Sequence, residues 1–253
     1  MRLLHLGTLL IVLIGCCWAP ALAAEPPAAT DGKVKARIDF YGESLCPDCR
    51  NFTATLDRRG EAGRSGLLGE GQFNDWVDLR YVAWGNVKNI TDNTTGEVTY
   101  KCQHGPEECF FNNIINCAQA LYPVQSKWFP FVACMEAGLN RTAADAGERE
   151  QNWETTEICA EAHELSAADL QACAEGPQGA ELQQKAAEET WNLVPPHTFV
   201  PWVLVNGVPL GFAAQDVDRP VCAAIGGPGA GKPPLCATIN ERLLNETCTW
   251  WYA

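Results

Sequence analysis

Residues 34–49 read Val34-Lys-Ala-Arg-Ile-Asp-Phe-Tyr-Gly-Glu-Ser-Leu-Cys46-Pro-Asp-Cys49. Apolar Val34, Ala36, Ile38 and Phe40 alternate with polar neighbours, which is the period of a strand with one face in a core. The chain turns at Gly42. Residues 46–59 then take on helical character, with Leu45, Phe52 and Leu56 apolar. Alternation returns over 77–84 (Val-Asp-Leu-Arg-Tyr-Val-Ala-Trp). Strand, helix and strand in this order predict a parallel βαβ unit. Two cysteines, three positions apart, stand where its helix opens.

Three readings compete for Cys46 and Cys49. A zinc site needs a second pair at matching spacing. The following cysteines, Cys102, Cys109 and Cys117, are spaced poorly for that, and His104 is the nearest usable histidine. No metal or other cofactor is therefore expected. A permanent bridge across so short a loop constrains the unfolded chain little and adds little stability. Redox exchange is the better explanation. At a helix N-terminus, free N–H groups and the positive end of the dipole favour a thiolate. Cys46 is expected to be the exposed nucleophile, and Cys49, one turn inside, the buried resolving thiol. Asp48 works against this, because an ionised carboxylate between the cysteines raises the Cys46 pKa.

Beyond the βαβ unit, a loop carrying two Asn-x-Thr sites is expected. Pro106-Glu-Glu then opens a helix over Phe110, Phe111, Ile114, Ile115, Ala118 and Leu121. Further helices are read at 127–137, 152–163, 167–174 and 180–193, with Ser166 and Asp169 resembling a capping box. Residues 198–205, Asn206-Gly207 and 208–212 form a hairpin signal, since Asn-Gly suits a type I′ turn. A short helix around 216–225 closes the unit. Pro201 interrupts an apolar run. It marks either an edge strand or bulge, or a cis-proline facing the cysteine pair, as in thioredoxin-like folds, with Val200 and Pro201 offering backbone to an extended substrate.

The compartment follows from the first residues. Arg2, an apolar run over 6–14 and Ala21-Leu-Ala-Ala24 make a secretory signal peptide over 1–24, cleaved after Ala23 or Ala24. The run is too short to span a bilayer, and no later candidate span is seen. Sequons at Asn51, Asn89, Asn93, Asn140 and Asn245 agree with entry into the secretory pathway. Asn51 is expected to stay unused, because a glycan there crowds the cysteine pair. The other four are the glycosylation candidates. Of 13 cysteines, Cys16 and Cys17 leave with the signal, so 11 remain. An odd number in an oxidising compartment implies bridges plus one spare thiol, a route to a disulfide-linked dimer. The net charge of −13 becomes −14 without Arg2, with 17 basic against 31 acidic residues. That argues against nucleic acid or an anionic membrane as partner. An acidic lumen would partly neutralise such a surface.

Residues 102–117 read Cys-Gln-His-Gly-Pro-Glu-Glu-Cys-Phe-Phe-Asn-Asn-Ile-Ile-Asn-Cys. Cys102, Gln103, His104, Gly105, Glu108, Cys109, Asn112 and Cys117 occupy every fixed position of a signature, and the stretch resembles the gamma-interferon-inducible lysosomal thiol reductase family. Val-Pro-Trp-Val-x-Val-Asn-Gly at 200–207, the Cys-x-x-Cys pair, and Cys222, Cys236 and Cys248 also look like that family. The resemblance covers residues 36–248. It implies an α/β, thioredoxin-like fold with a helical insertion. It also implies a soluble glycoprotein that reduces disulfides in unfolding proteins at acidic pH, in endosomes and lysosomes, with Cys46 and Cys49 as the active pair.

The expected organisation is signal peptide 1–24, leader or propeptide 25–35, thioredoxin-like domain 36–105 and 181–225, helical insertion 106–180, and a Gly/Pro linker with a cysteine-containing tail over 226–253. The signature itself is read as structural, with His104 packed or capping rather than a base. Cys109 and Cys117 lie eight residues apart on one predicted helix, roughly 12 Å at about 1.5 Å per residue. A disulfide needs Cα atoms within about 7 Å. They therefore pair elsewhere, with Cys102, Cys134, Cys159 or Cys173 as candidates. The function expected is protein-disulfide reduction, with a small thiol as reductant. The rivals are an oxidase or isomerase on the same scaffold, since potential sets direction, and a secreted binding protein with an inert Cys46–Cys49 bridge.

Overall fold

A computed structural model describes residues 35–57, 68, 73–96, 98–140, 146–227, 229 and 231–237. The signal peptide, nearly all of the leader, Asn245 and Cys248 lie outside the described residues.

The opening stretch forms β1 (Ala36–Gly42) and α1 (Pro47–Asp57), and the return of alternation forms β2 (Val77–Ala83). β1 and β2 pair in parallel, in register from Ala36 with Val77 to Gly42 with Ala83. A hairpin of β3 (Lys88–Thr91) and β4 (Val98–Lys101) follows, where the sequence led us to expect a loop. Neither of its strands has a buried residue, so no apolar alternation announced it. Next come α2 (Pro106–Leu121), α3 (Gln125–Gly138), α4 (Ala146–Ala162), α5 (Ala167–Glu175) and α6 (Pro177–Trp191). Ser166 caps α5, its hydroxyl accepting the Asp169 N–H at 3.2 Å.

The chain then returns to the sheet. β5 (Trp202–Val205) lies antiparallel to β1, and β6 (Val208–Pro209) pairs antiparallel with β5. The strand begins at Trp202 and not at residue 198, since Pro201 has no N–H to give a ladder; the Val200–Pro201 peptide bond is cis. Asn206 and Gly207 both have positive φ, as a type I′ turn requires. A 3₁₀ turn (Gly211–Asp216) and α7 (Asp218–Ala224) follow.

The main sheet has the order β2-β1-β5-β6. This mixed α/β architecture, a parallel βαβ unit extended by an antiparallel pair, is thioredoxin-like. Its strand alternation sorts residues onto two faces. Ile38, Phe40, Leu79, Tyr81, Val203 and Val205 enter the larger core with α1, α2 and α3. Tyr41, Val82, Trp202 and Leu204 point the other way, with Trp84 and with Ala186 and Ala187 of α6.

The outer edge of β2 is closed by amide side chains instead of another strand. Asn116 of α2 accepts the Ala83 N–H at 3.2 Å and donates to the Ala83 carbonyl at 3.0 Å. Gln119, one helical turn on, does the same for Tyr81 at 3.0 and 2.7 Å. The Gln125 side-chain oxygen accepts the Leu79 N–H at 2.7 Å. Buried edge groups thereby find the partners that a low-polarity surrounding demands.

Among the described residues, four disulfides are formed: Cys102–Cys109, Cys117–Cys173, Cys134–Cys159 and Cys222–Cys236. Cys109 and Cys117 thus take different partners. Among the described cysteines, Cys46 and Cys49 are the free ones.

Candidate active site

Pro47 suits the first position of α1, where its missing N–H costs nothing. Cys46 is the residue before it, with its Sγ turned over the open first turn. There it accepts the Cys49 N–H at 3.5 Å. The Cys49 Sγ in turn accepts the Glu43 N–H at 3.4 Å. The segment leading to the pair is pinned by α2. The Ser44 N–H donates to Asn112 Oδ1 at 2.8 Å, and the Ser44 hydroxyl donates to the Glu108 carbonyl at 3.3 Å.

The two thiols differ. Cys46 is lowered to about 7, first by the Cys49 side chain, which hydrogen-bonds its thiolate. Burial opposes the shift, while the N–H groups of Cys49 and Asp48 and the charge of His104 assist it. Cys49 is raised well above its ordinary value, chiefly by burial. Behind it, the Tyr81 hydroxyl donates to Glu136 Oε1 at 2.8 Å, and the Glu136 charge raises Cys49 further.

One expectation is corrected. Cys46 is not an exposed thiol: it is 5% accessible, against 0% for Cys49. Asp48 lies between the two cysteines. Its side chain is exposed, and its backbone N–H lowers the Cys46 pKa.

The signature comes to this site. Gly105 starts α2 at a φ of 101°, a glycine conformation. The Cys102–Cys109 bridge brackets the turn. His104 is thereby turned onto Glu108: Nδ1 lies 2.5 Å from Glu108 Oε2, and the His104 N–H donates to Glu108 Oε1 at 3.1 Å. The same Nδ1 is 3.4 Å from Glu43 Oε2. Glu43 Oε1 accepts the Asn86 N–H at 2.5 Å. Gly85, with φ +65°, makes room, since a Cβ there would meet the Glu43 side chain. The ligand-type atoms of Glu43, His104 and Glu108 lie within 4.8 Å of one another, but the His104–Glu108 hydrogen bond already joins two of them. Burial, then the charge of Glu108, raises Glu43 to about 8; burial also raises Glu108, which His104 holds down. Reading the signature as structural overlooked this cluster. The signal was available: an acid three residues before Cys46, and a fixed His and Glu spaced i, i+4.

Val200 is buried in the same apolar cluster as Cys46 and Cys49, and Pro201 follows it through the cis bond. Asn89 and Asn93 are exposed on the β3–β4 hairpin, and Asn140 is half-buried after α3.

The protein is a thiol–disulfide oxidoreductase on a thioredoxin-like sheet, with an unbridged cysteine pair where its parallel βαβ unit opens its helix. The chain belongs to the gamma interferon inducible lysosomal thiol reductase family, whose model matches residues 37–176. Among similar proteins, "Gamma-interferon-responsive lysosomal thiol protein" of Arabidopsis thaliana is 31% identical over 231 residues, 91% of this chain and 86% of that relative. "GILT-like protein 1" of Drosophila melanogaster is 32% identical over 206 residues, 77% of this chain and 72% of the relative. "Gamma-interferon-inducible lysosomal thiol reductase" of Mus musculus is 29% identical over 211 residues, 81% and 73% respectively. Among solved structures, the oxidoreductase DsbA from Xylella fastidiosa aligns with a TM-score of 0.40 at 13% identity, covering 74% of this chain and 86% of that one.

Proposed function

We propose that Cys46 and Cys49 reduce protein disulfides, with Cys46 as nucleophile and Cys49 as resolving thiol. The observation that carries this is the asymmetry of the pair: one thiol lowered and slightly accessible, the other raised and sealed. The Cys46 thiolate attacks a substrate disulfide, forming one S–S bond and releasing one substrate sulfur as a thiolate that takes a proton from water. Cys49, once deprotonated, attacks the Cys46 sulfur, forms the Cys46–Cys49 bridge and releases the second substrate sulfur. A small-thiol reductant reopens the bridge. Val200 and Pro201 present backbone to an extended, unfolding polypeptide substrate. The family and the relatives' names favour an endosomal or lysosomal lumen, and no helix among the described residues is long and apolar enough to cross a membrane. Asn89, Asn93, Asn140 and Asn245 are the proposed glycan sites.

The test uses two variants and a denatured, disulfide-bonded substrate. Cys46→Ser should abolish reduction while keeping the native circular dichroism and melting curve. Cys49→Ser should accumulate a mixed disulfide through Cys46 on non-reducing gels. A folded Cys46→Ser protein that retains most activity would sink the assignment.

A further inference from the structure

Two carboxyl groups with no solvent exposure, Glu43 and Glu108, share one imidazole. Nδ1 of His104 lies 3.4 Å from Glu43 Oε2 and 2.5 Å from Glu108 Oε2. Each carboxyl group is held by its other oxygen. Glu43 Oε1 accepts the Asn86 N–H at 2.5 Å, and Glu108 Oε1 accepts the His104 N–H at 3.1 Å. Both Oε2 atoms are left to the same ring nitrogen. Glu43 Oε2 has no hydrogen-bond partner, which a buried oxygen seldom lacks. Charge is left over as well. Among the described residues, His104 is the cationic side chain in reach of these two groups, and one imidazolium cannot match two carboxylates.

We propose that Glu43 Oε2, Glu108 Oε2 and His104 Nδ1 bind one zinc ion. The inference goes beyond disulfide reduction and does not depend on it. Zinc with two carboxylates and a neutral imidazole is electrically balanced, where a lone imidazolium is not. Tetrahedral zinc holds its ligands at about 2.0–2.1 Å, which sets ligand atoms about 3.3 Å from one another. The His104–Glu43 separation, 3.4 Å, already has that value, and all three ligand atoms lie within 4.8 Å of one another. The His104–Glu108 hydrogen bond is shorter. Its proton is the one the cation replaces, and the pair then opens by roughly 0.8 Å.

The donor set selects the metal. Calcium takes six to eight oxygens and magnesium a near-octahedral oxygen shell, while an imidazole nitrogen with carboxylate oxygens suits zinc. Three protein ligands leave a fourth position for water, on the side where the His104 ring is partly exposed. The Asn86 and His104 N–H groups fix the carboxylates before any cation arrives, as partners of metal ligands do. The frame around them is stiff: the Cys102–Cys109 bridge brackets His104. None of the three ligands is a cysteine, so the spacing that spoke against zinc at Cys46 and Cys49 has no bearing here. The ion would join the segment before Cys46 to the signature turn.

Zinc binding is measured on the disulfide-intact protein with Cys46 and Cys49 bridged and any other thiol alkylated, so that no thiolate competes. Equilibrium dialysis against zinc chloride at about pH 7.5 should leave one zinc per chain. Zinc at about 100-fold over its dissociation constant should raise the melting temperature by about 5 °C or more. EDTA should reverse the shift, and magnesium or calcium should not reproduce it. Glu43→Gln and His104→Ala should each weaken binding about tenfold or more. Replacing His163 and His197, the other described histidines, by glutamine should leave it unchanged. A wild type that retains no zinc overturns the proposal, as does zinc held equally well by Glu43→Gln and His104→Ala. The X-ray absorption spectrum of the zinc-loaded wild type needs no variant to fold. It should show nitrogen and oxygen ligands with a single imidazole; sulfur ligands, or two imidazoles, overturn the site.

Discussion

Replacing Glu43 by glutamine should change how stability depends on pH, and the sign follows from its titration. The carboxyl group is fully buried and raised from 4.5 to about 8. The unfolded chain gives up this proton near the ordinary glutamate value, and the folded chain holds it until about 8. The stabilisation from the protonated, buried form is therefore complete below the unfolded value and is lost as pH rises through the folded one. At about 1.4 kcal/mol per pH unit, the interval sets a ceiling of about 5 kcal/mol between acid and mildly alkaline solution. Glu108 is raised in the same direction and shares the cluster, so about 2–4 kcal/mol is the effect expected for Glu43 itself. The amide that replaces the carboxyl group carries no charge at any pH. Urea unfolding of the disulfide-intact protein, followed by tryptophan fluorescence, gives the free energy near pH 5 and near pH 8. Wild type should lose stability over that interval by about 2–4 kcal/mol more than Glu43→Gln. The difference between the two proteins removes contributions common to both, such as Asp218, which is raised, and His197, which is lowered. Parallel losses within about 0.5 kcal/mol, the usual scatter for surface changes, would refute a buried proton on Glu43.

Asn116→Ala should strip both partners from the buried Ala83 peptide groups at the covered edge of β2, lowering urea stability by about 2–4 kcal/mol; a loss under about 0.5 kcal/mol would show that water replaces the amide without penalty. Asp48→Asn keeps the backbone N–H and removes only an exposed charge, so the Cys46 alkylation rate should change less than about twofold across pH; a threefold or greater rise would return the carboxylate to the role first read from sequence.

What could be read in the sequence was what repeats locally. The alternation in 34–40 and 77–84, and the cysteine pair between them, led directly to the parallel unit, because apolar period and helix start are local signals. The helices from 106 to 193 followed from the same kind of pattern. The β3–β4 hairpin was hidden because a strand with both faces in water needs no apolar alternation. The burial of Cys46 was hidden for another reason. Ser44, two residues before it, is held by Glu108 and Asn112, more than 60 positions away, and no local pattern says where they go. The proton cluster shares that obstacle: Glu43 and His104 are each ordinary until a glycine at 85 and the turn at 105 bring them together.

The covered edge of β2 has a bearing on the company this protein keeps. The proposed substrates, unfolding polypeptides, are segments ready to add themselves to any open strand. At one end of the main sheet, Asn116, Gln119 and Gln125 already occupy ladder positions that such a segment would use. At the other end, β6 offers two residues, and one of them is Pro209, which has no N–H to give. The main sheet thus presents little backbone on which the proposed substrates could polymerise.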